Sequence, residues 1–400
     1  MTRSILTDSR GRQRGLTLIE LMVSVVIGLI VTLAVTSAVT FGEATKRSTT
    51  STNDMGQSGS YAAYLLDRAV RSAGSGFAQS WDLGGVFGCK LTAARGAAAI
   101  LPRATAFPVP FDKFLGGAAG SANLRVAPLM IASGQGTDAL SDVLVVMGGN
   151  AAAGDVPRII RSSGASANIL RLDNTIGMKQ DDLALVSQSG TTDCLLEQVS
   201  AASPGFKDEA DNELLPLGST YYTAGGGALA TLAGSGAAYL SPLGNAVANN
   251  VQFQLFGVGA NRTLFSYDLL RSGGNDDAQA IAEGVVRMQA IYGLVDPATG
   301  AFTKWVAPTG DYAIAKVMST PLTARSIAAV RIALVLRTSH YEKAKDSGEK
   351  VAPTALKLFG DLSETALHQT VTLSDDDQHY RHRVVDFTIP LRNVLLLPKL

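Results

Sequence analysis

Between Leu16 and Phe41 the chain carries a single charge, Glu20. Twenty-six residues of this kind, at 1.5 Å of helix rise each, reach about 39 Å, enough to cross a bilayer. No other feature constrains the fold as strongly. A segment that long and apolar cannot lie bare on a water-soluble domain, so its helix has to be covered by lipid or protein. Thr17, Ser24, Thr32, Thr36, Ser37 and Thr40 interrupt the run. They are compatible with it because a hydroxyl can bond back to a helix carbonyl. Glu20 is the anomaly, since an ionised carboxylate in hydrocarbon is costly unless something neutralises it.

Arg10, Arg12 and Arg14 lie just ahead of the run. The positive-inside rule keeps that end in the cytoplasm and carries the C-terminal bulk across the membrane. Two ordinary readings exist. A cleaved signal peptide should have a shorter apolar core ending in a small-residue site. Ala34-Val35-Thr36 and Thr36-Ser37-Ala38 resemble weak sites of that kind. A plain membrane anchor fits the length and leaves Glu20 unexplained.

A third reading accounts for both length and charge. Arg14-Gly15-Leu16-Thr17-Leu18-Ile19-Glu20-Leu21 resembles the class III signal of type IV pilins and type II secretion pseudopilins. The resemblance implies cleavage between Gly15 and Leu16 by a prepilin peptidase, N-methylation of Leu16, and retention of the apolar helix. That family usually has Phe where this chain has Leu16. Its frequent helix-kinking proline is also missing, because no proline precedes Pro102. After cleavage the new amine and the Glu20 carboxylate would sit four residues apart on one helix face. Their pairing in a low-dielectric filament core would set axial register, and a helix N-terminus favours a nearby anion.

The helical pattern continues past the membrane. Glu43 to Asp54 is polar. In "YAAYLLDRAVRSAG", Ala62, Leu65, Leu66, Ala69 and Ala73 share one face, opposite Asp67, Arg68 and Arg71. Gly74 and Gly76 are stop signals. A helix from Leu16 to Ala73 would be about 87 Å long, with Gly42, Gly56 and Gly59 as points where it could bend or fray.

The remainder reads as β-rich. Short apolar runs bounded by turn residues occur at 141–148, 182–190, 194–200, 331–339 and 382–391, and 251–258 with 262–270 reads as a hairpin. Residues 278–296 begin with helical character and end strand-like. The stretches 93–127 and 204–244, rich in Ala and Gly, read as loops or flexible insertions, and 341–354 as a charged, solvated excursion. The expected organisation is a basic leader (1–15), a membrane or filament-core helix (16–41), its amphipathic continuation (42–75) and a β-rich exported domain (76–400). The fold class is α+β: a long N-terminal helix packed on a mostly antiparallel, pilin-like globular domain.

The segments 65–77, 141–146, 181–187 with the following Cys194, 282–296 and 380–395 resemble the PilW family of type IV pilus assembly proteins, counted among the minor pilins. The resemblance implies a minor pilin that primes pilus assembly near the tip, working with other minor pilins and the major pilin. The implied partners further include the prepilin peptidase, an inner-membrane assembly platform and membrane lipid. The protein would sit in the inner membrane, N-terminus cytoplasmic, and reach the pilus or cell surface on assembly. A minor pseudopilin of a type II secretion system would carry the same signal. A membrane-anchored exported enzyme is the alternative from another class.

Chemistry is sparse. The 34 Lys and Arg balance 34 Asp and Glu, so no basic face points to nucleic acid. Aromatic residues make up 6% of the chain, too few to suggest a stacking platform. Phosphate loops and nucleophile elbows are missing, no catalytic residue is indicated and no cofactor is expected. His379 and His382 stand beside Asp375, Asp376 and Asp377, but strand geometry would place the two imidazoles on opposite faces, so no metal is expected. Cys89 and Cys194 are the only cysteines. In an exported domain they can form one disulfide; two unrelated buried thiols is the alternative.

Overall fold

The computed structural model describes residues 15, 17–96, 98–117, 124–150, 154–161, 168–190, 193–200, 213–223, 227–344 and 348–400. The chain divides into two units, Met1–Asn53 and Asp54–Leu400, considered in turn.

Helix α1 runs from Leu18 to Arg71. In the first unit every described residue of 18–46 is exposed, including Leu18, Leu33 and Phe41 at 74%, 71% and 76%. The hydroxyls along it turn inward to the helix. Ser24 donates to the Leu21 carbonyl, Thr32 to Gly28, Thr36 to Thr32 and Thr40 to Thr36, at 2.6–3.0 Å. These four hydroxyls are thereby satisfied locally, as a helix in hydrocarbon requires. Among the described residues this is the one helix long and apolar enough to cross a membrane.

In the second unit α1 becomes one-sided. Ala62, Leu66, Ala69 and Val70 are buried while Tyr61 and Tyr64 are exposed. Leu65, expected on the buried face, is half-buried. Gly59 is not a weak point: a Cβ there would overlap Leu336 Cδ1, so glycine lets the helix approach a strand closely. Gly74 and Gly76 take positive φ (81° and 87°) and end the helix.

Three sheets follow. The first has the order β2 (Ala98–Leu101), β1 (Lys90–Arg95), β8 (Asp193–Gln198), β7 (Asp182–Gln188), β10 (Ala238–Asn245), β5 (Arg158–Ile159), with β1 and β8 parallel. The second, wholly antiparallel, has the order β13 (Gln279–Glu283), β12 (Thr263–Asp268), β11 (Gln252–Gly259), β4 (Val143–Gly148), β3 (Leu129–Ala132). The third, also antiparallel, has the order β15 (Phe302–Val306), β14 (Val285–Val295), β16 (Ile327–Arg337), β19 (His382–Pro390). Two small pairs complete the set, β6 (Ile169–Leu172) with β9 (Glu213–Pro216) and β17 (Ala355–Leu358) with β18 (Gln369–Thr372). The short helices are α2 (Gly227–Gly234), α3 (Ile314–Ser319), α4 (Pro321–Ser326) and α5 (Arg392–Leu395).

Strands buried on both faces explain the near-continuous apolar runs. In β7, Leu183 and Leu185 enter the main core with Leu66, Phe77 and Phe253, while Ala184 and Val186 enter a second core with Leu170, Leu215 and Leu229. In β16, Ile332 and Leu334 face the main core, and Ala333 and Val335 a third core closed by Leu358 and Val371 of the β17–β18 pair. A strand with no solvent face has no polar alternation.

The structure also departs from the sequence reading in the assignment of elements. Residues 279–295 are strand throughout, broken only at Gly284 (φ 81°). The helix formers at 278–283 yield because β13 completes a ladder with β12. The described parts of 93–127 and 204–244 also hold elements rather than plain loop: β2 in the first, and β9, α2 and most of β10 in the second. Phe107, Phe111 and Phe114 are buried. Arg103 grips Asp276 through both terminal guanidinium nitrogens (2.7 and 2.9 Å) and donates to the Thr105 and Ala106 carbonyls. Three aromatics and one paired arginine anchor a stretch whose composition is mostly small residues.

Candidate functional site

The first turn of α1 is built by Thr17. Its hydroxyl accepts the Glu20 backbone N–H at 3.3 Å, and its carbonyl accepts the Leu21 N–H at 3.1 Å. The Thr17-x-x-Glu20 spacing is that of a capping box, a local signal that the reading of Glu20 as a charge partner passed over. Gly15, just ahead, is exposed with nothing within 4 Å of where a Cβ would stand. Leu16, the expected cleavage and methylation residue, lies outside the described residues. Glu20 is exposed and makes no ion pair among the described residues. Its carboxylate is therefore presented outward from an apolar helix.

The second unit holds the two cysteines. Cys89 immediately precedes β1, Cys194 is in β8, and the two form a disulfide with Cα atoms 5.6 Å apart. The parallel register pairs Leu91 with Cys194. Strands brought together from positions 105 residues apart carry a large loop-closure cost, and the bond removes about 4–5 kcal/mol of it from the unfolded side.

The histidine and aspartate cluster is a clasp. Lys350 pairs with Asp375, and Arg337 with Asp377 at 2.6 Å while its guanidinium lies 3.8 Å above the Tyr380 ring. His379 stacks on Tyr341 at 4.6 Å, and Arg381 takes Glu342 through two nitrogens. These contacts fasten Tyr341, Glu342 and Lys350 onto 375–381. Among the described residues no group of three or more His, Cys, Asp or Glu converges to hold a metal.

Two carboxylates that the sequence did not single out are deeply buried. Asp142, at the start of β4, accepts N–H bonds from Gly134 and from Ala290 of β14 at 3.0 and 2.9 Å. Burial outweighs those bonds and pushes its carboxyl up to about 6. Glu197 of β8 lies on the second-core face with the Thr223 hydroxyl and N–H as its partners. Burial raises it to about 7. Asp142 joins the second sheet to the third, which makes its role architectural. A cleft of about 290 Å³ between α1 and the second sheet is lined by Tyr61, Leu65, Arg68, Gln254 and Gln279, amides and a phenol rather than an acid–base pair.

Residues 10–36 match the prokaryotic N-terminal methylation motif. Residues 250–393, from β11 through β19 into α5, match Type IV Pilus-assembly protein W. No curated protein and no solved structure matches the chain. The first match covers the capped start of α1 and the second covers most of the second and third sheets. With its apolar helix the chain is a membrane-anchored, single-pass, type IV pilus-related and pilin-like protein.

Proposed function

We propose that this protein is a minor pilin that primes type IV pilus assembly, near the filament tip and together with other minor pilins and the major pilin. The observation that carries the reading is the coincidence, on one chain, of the methylation motif, the pilus-assembly match and a helix whose first half is apolar and exposed all round. In this reading a prepilin peptidase cuts between Gly15 and Leu16 and Leu16 is N-methylated. Residues 1–15 are then the leader and 16–41 the filament-core segment. The new amine meets Glu20 of the same or a neighbouring subunit, which sets axial register. The basic leader stays in the cytoplasm, the β-rich unit is exported, and an inner-membrane platform lifts the subunit out of the bilayer.

The test is the intact mass and N-terminal sequence of membrane-extracted protein, native and Gly15→Ala. The expected native chain starts at N-methyl-Leu16, and the variant keeps its leader. An uncleaved native chain, or one starting near Ala38, would overturn the reading. Glu20→Ala should be processed normally yet be missing from sheared pili; its normal incorporation would remove the register role. Loss of protein secretion with intact piliation on deletion would reassign the chain to a type II secretion pseudopilin.

A further inference from the structure

The third sheet ends on one side at β19, which pairs with β16 in an unbroken antiparallel register from Arg337 opposite His382 to Ala329 opposite Pro390. No strand pairs with its other side among the described residues. The flanking bonds show which backbone groups face outward. Thr338 N–H donates to the Arg381 carbonyl and Leu391 N–H to the Ala328 carbonyl. Odd-numbered residues of β19 therefore turn their backbone toward β16. The even-numbered His382, Val384, Asp386 and Thr388 turn theirs away. Pro390 falls on the outward side, where its missing N–H breaks no ladder bond.

The other outer edges are shorter. β13 and β15 have five residues each, the first bounded by Asp277 and Glu283 and the second carrying an exposed Lys304. Such devices discourage pairing. β19 has nine residues, and its mid-strand charge is neutralised, since Asp386 accepts two bonds from Arg331 of β16 at 2.8 and 2.7 Å. Its faces are flanked as well. Val385 and Phe387 pack half-buried against the main core, Val384 packs against the third core, and an Arg383 nitrogen lies 3.8 Å from the Cβ position of Gly56 on α1. An added strand would cover the exposed parts of Val385 and Phe387. Arg383 is exposed and has no ion-pair partner among the described residues.

We propose that the outer edge of β19 receives an extended strand from a co-assembling subunit, the donor's identity resting on the pilin reading. The strand carries apolar residues alternating on the α1 side and an acidic residue opposite Arg383. Main-chain donors and acceptors supply affinity, and the alternate side chains supply choice. A second copy of this chain fits less well. The α1-side row of β19 is Arg383, Val385, Phe387 and Ile389, with no acid to meet Arg383.

The probe is a nine-residue acetylated peptide alternating threonine with valine, isoleucine and one glutamate, added to the full chain in detergent micelles. Expected are saturable binding and amide exchange slowed at least tenfold at Val384, Asp386 and Thr388. Thr388→Pro removes an outward donor and no internal bond, so it should weaken binding at least tenfold with an unchanged melting temperature. Independently of that variant's folding, a lysine in place of the peptide glutamate should weaken binding several-fold, and Arg383→Glu should restore it. No binding, binding indifferent to both Thr388→Pro and the charge swap, or a peptide-free dimer that protects the same amides would each overturn the proposal. Peptide binding requires no leader cleavage, so an unprocessed chain that binds would sink the pilin reading and leave the edge site standing.

Discussion

The two halves of α1 are one uninterrupted helix and two different physical objects. From Leu18 to Phe41 its apolar side chains are exposed on every side; from Asp54 to Arg71, Ala62, Leu66, Ala69 and Val70 are buried and Tyr61 and Tyr64 are not. The second half finishes its burial within the chain. The first half leaves a large apolar surface for lipid or other chains. Helix formation and helix covering are therefore separate problems, and only one of them is solved by this polypeptide alone.

The largest expected effect tests how independent the second unit is. Cys89→Ser with Cys194→Ser should lower its stability by about 4–5 kcal/mol from the loop-closure estimate, read by denaturant unfolding of the full chain in micelles. The helix signal from the first half of α1 should persist through that transition. Simultaneous loss of both would show that the halves are coupled. Next, Leu66→Ala should cost about 2–5 kcal/mol, as a buried leucine truncated in a packed core, whereas Leu33→Ala should leave the unfolding midpoint of the second unit unchanged. Equal costs would erase the comparison.

The third prediction contrasts a buried carboxylate with the exposed Glu20. Glu197 is held in the folded state at about 7, above its ordinary value of 4.5. The folded unit therefore retains a proton that the unfolded chain releases. The associated stability is fully present below about pH 4.5 and is lost as pH rises to about 7, on the order of 3 kcal/mol. Asp142 adds a loss in the same direction between 3.8 and about 6. The unit should be measurably less stable at pH 8 than at pH 5, and Glu197→Gln should flatten the profile. An unchanged profile would refute the burial argument. The smallest effect is at the cap: Thr17→Ala should cost about 1 kcal/mol of local helix stability. It should appear as faster amide exchange at Glu20 and Leu21, with no change in the second unit.

Much of this was legible from residues alone. The hairpin of β11 and β12 follows from alternation on either side of a short turn, and Gly74 and Gly76 end α1 where they stand. What stayed hidden depended on partners distant in sequence. Residues 278–283 have helical composition and become β13 because β12 offers a ladder. Gly59 reads as a weak helix position and is a contact surface because Leu336 lies against it. The small-residue stretch 93–127 reads as loop until Arg103 is seen on Asp276, 173 residues away. Glu197 lies inside an apolar run and gives no local sign that it is buried with no cation paired to it among the described residues.

The sequence by itself determined the membrane-competent helix, the carboxylate at Glu20 and the methylation signal around Gly15. Periodicity, charge and local hydrogen bonding act over a few residues and need no fold to be read. Only the tertiary structure decided which strands are buried on both faces, that Cys89 meets Cys194, and that β19 ends its sheet with His382, Val384, Asp386 and Thr388 turned outward. Those outcomes depend on which distant segments close loops upon one another. The free energy of that choice lies in cores assembled from the whole chain and in no single stretch of it.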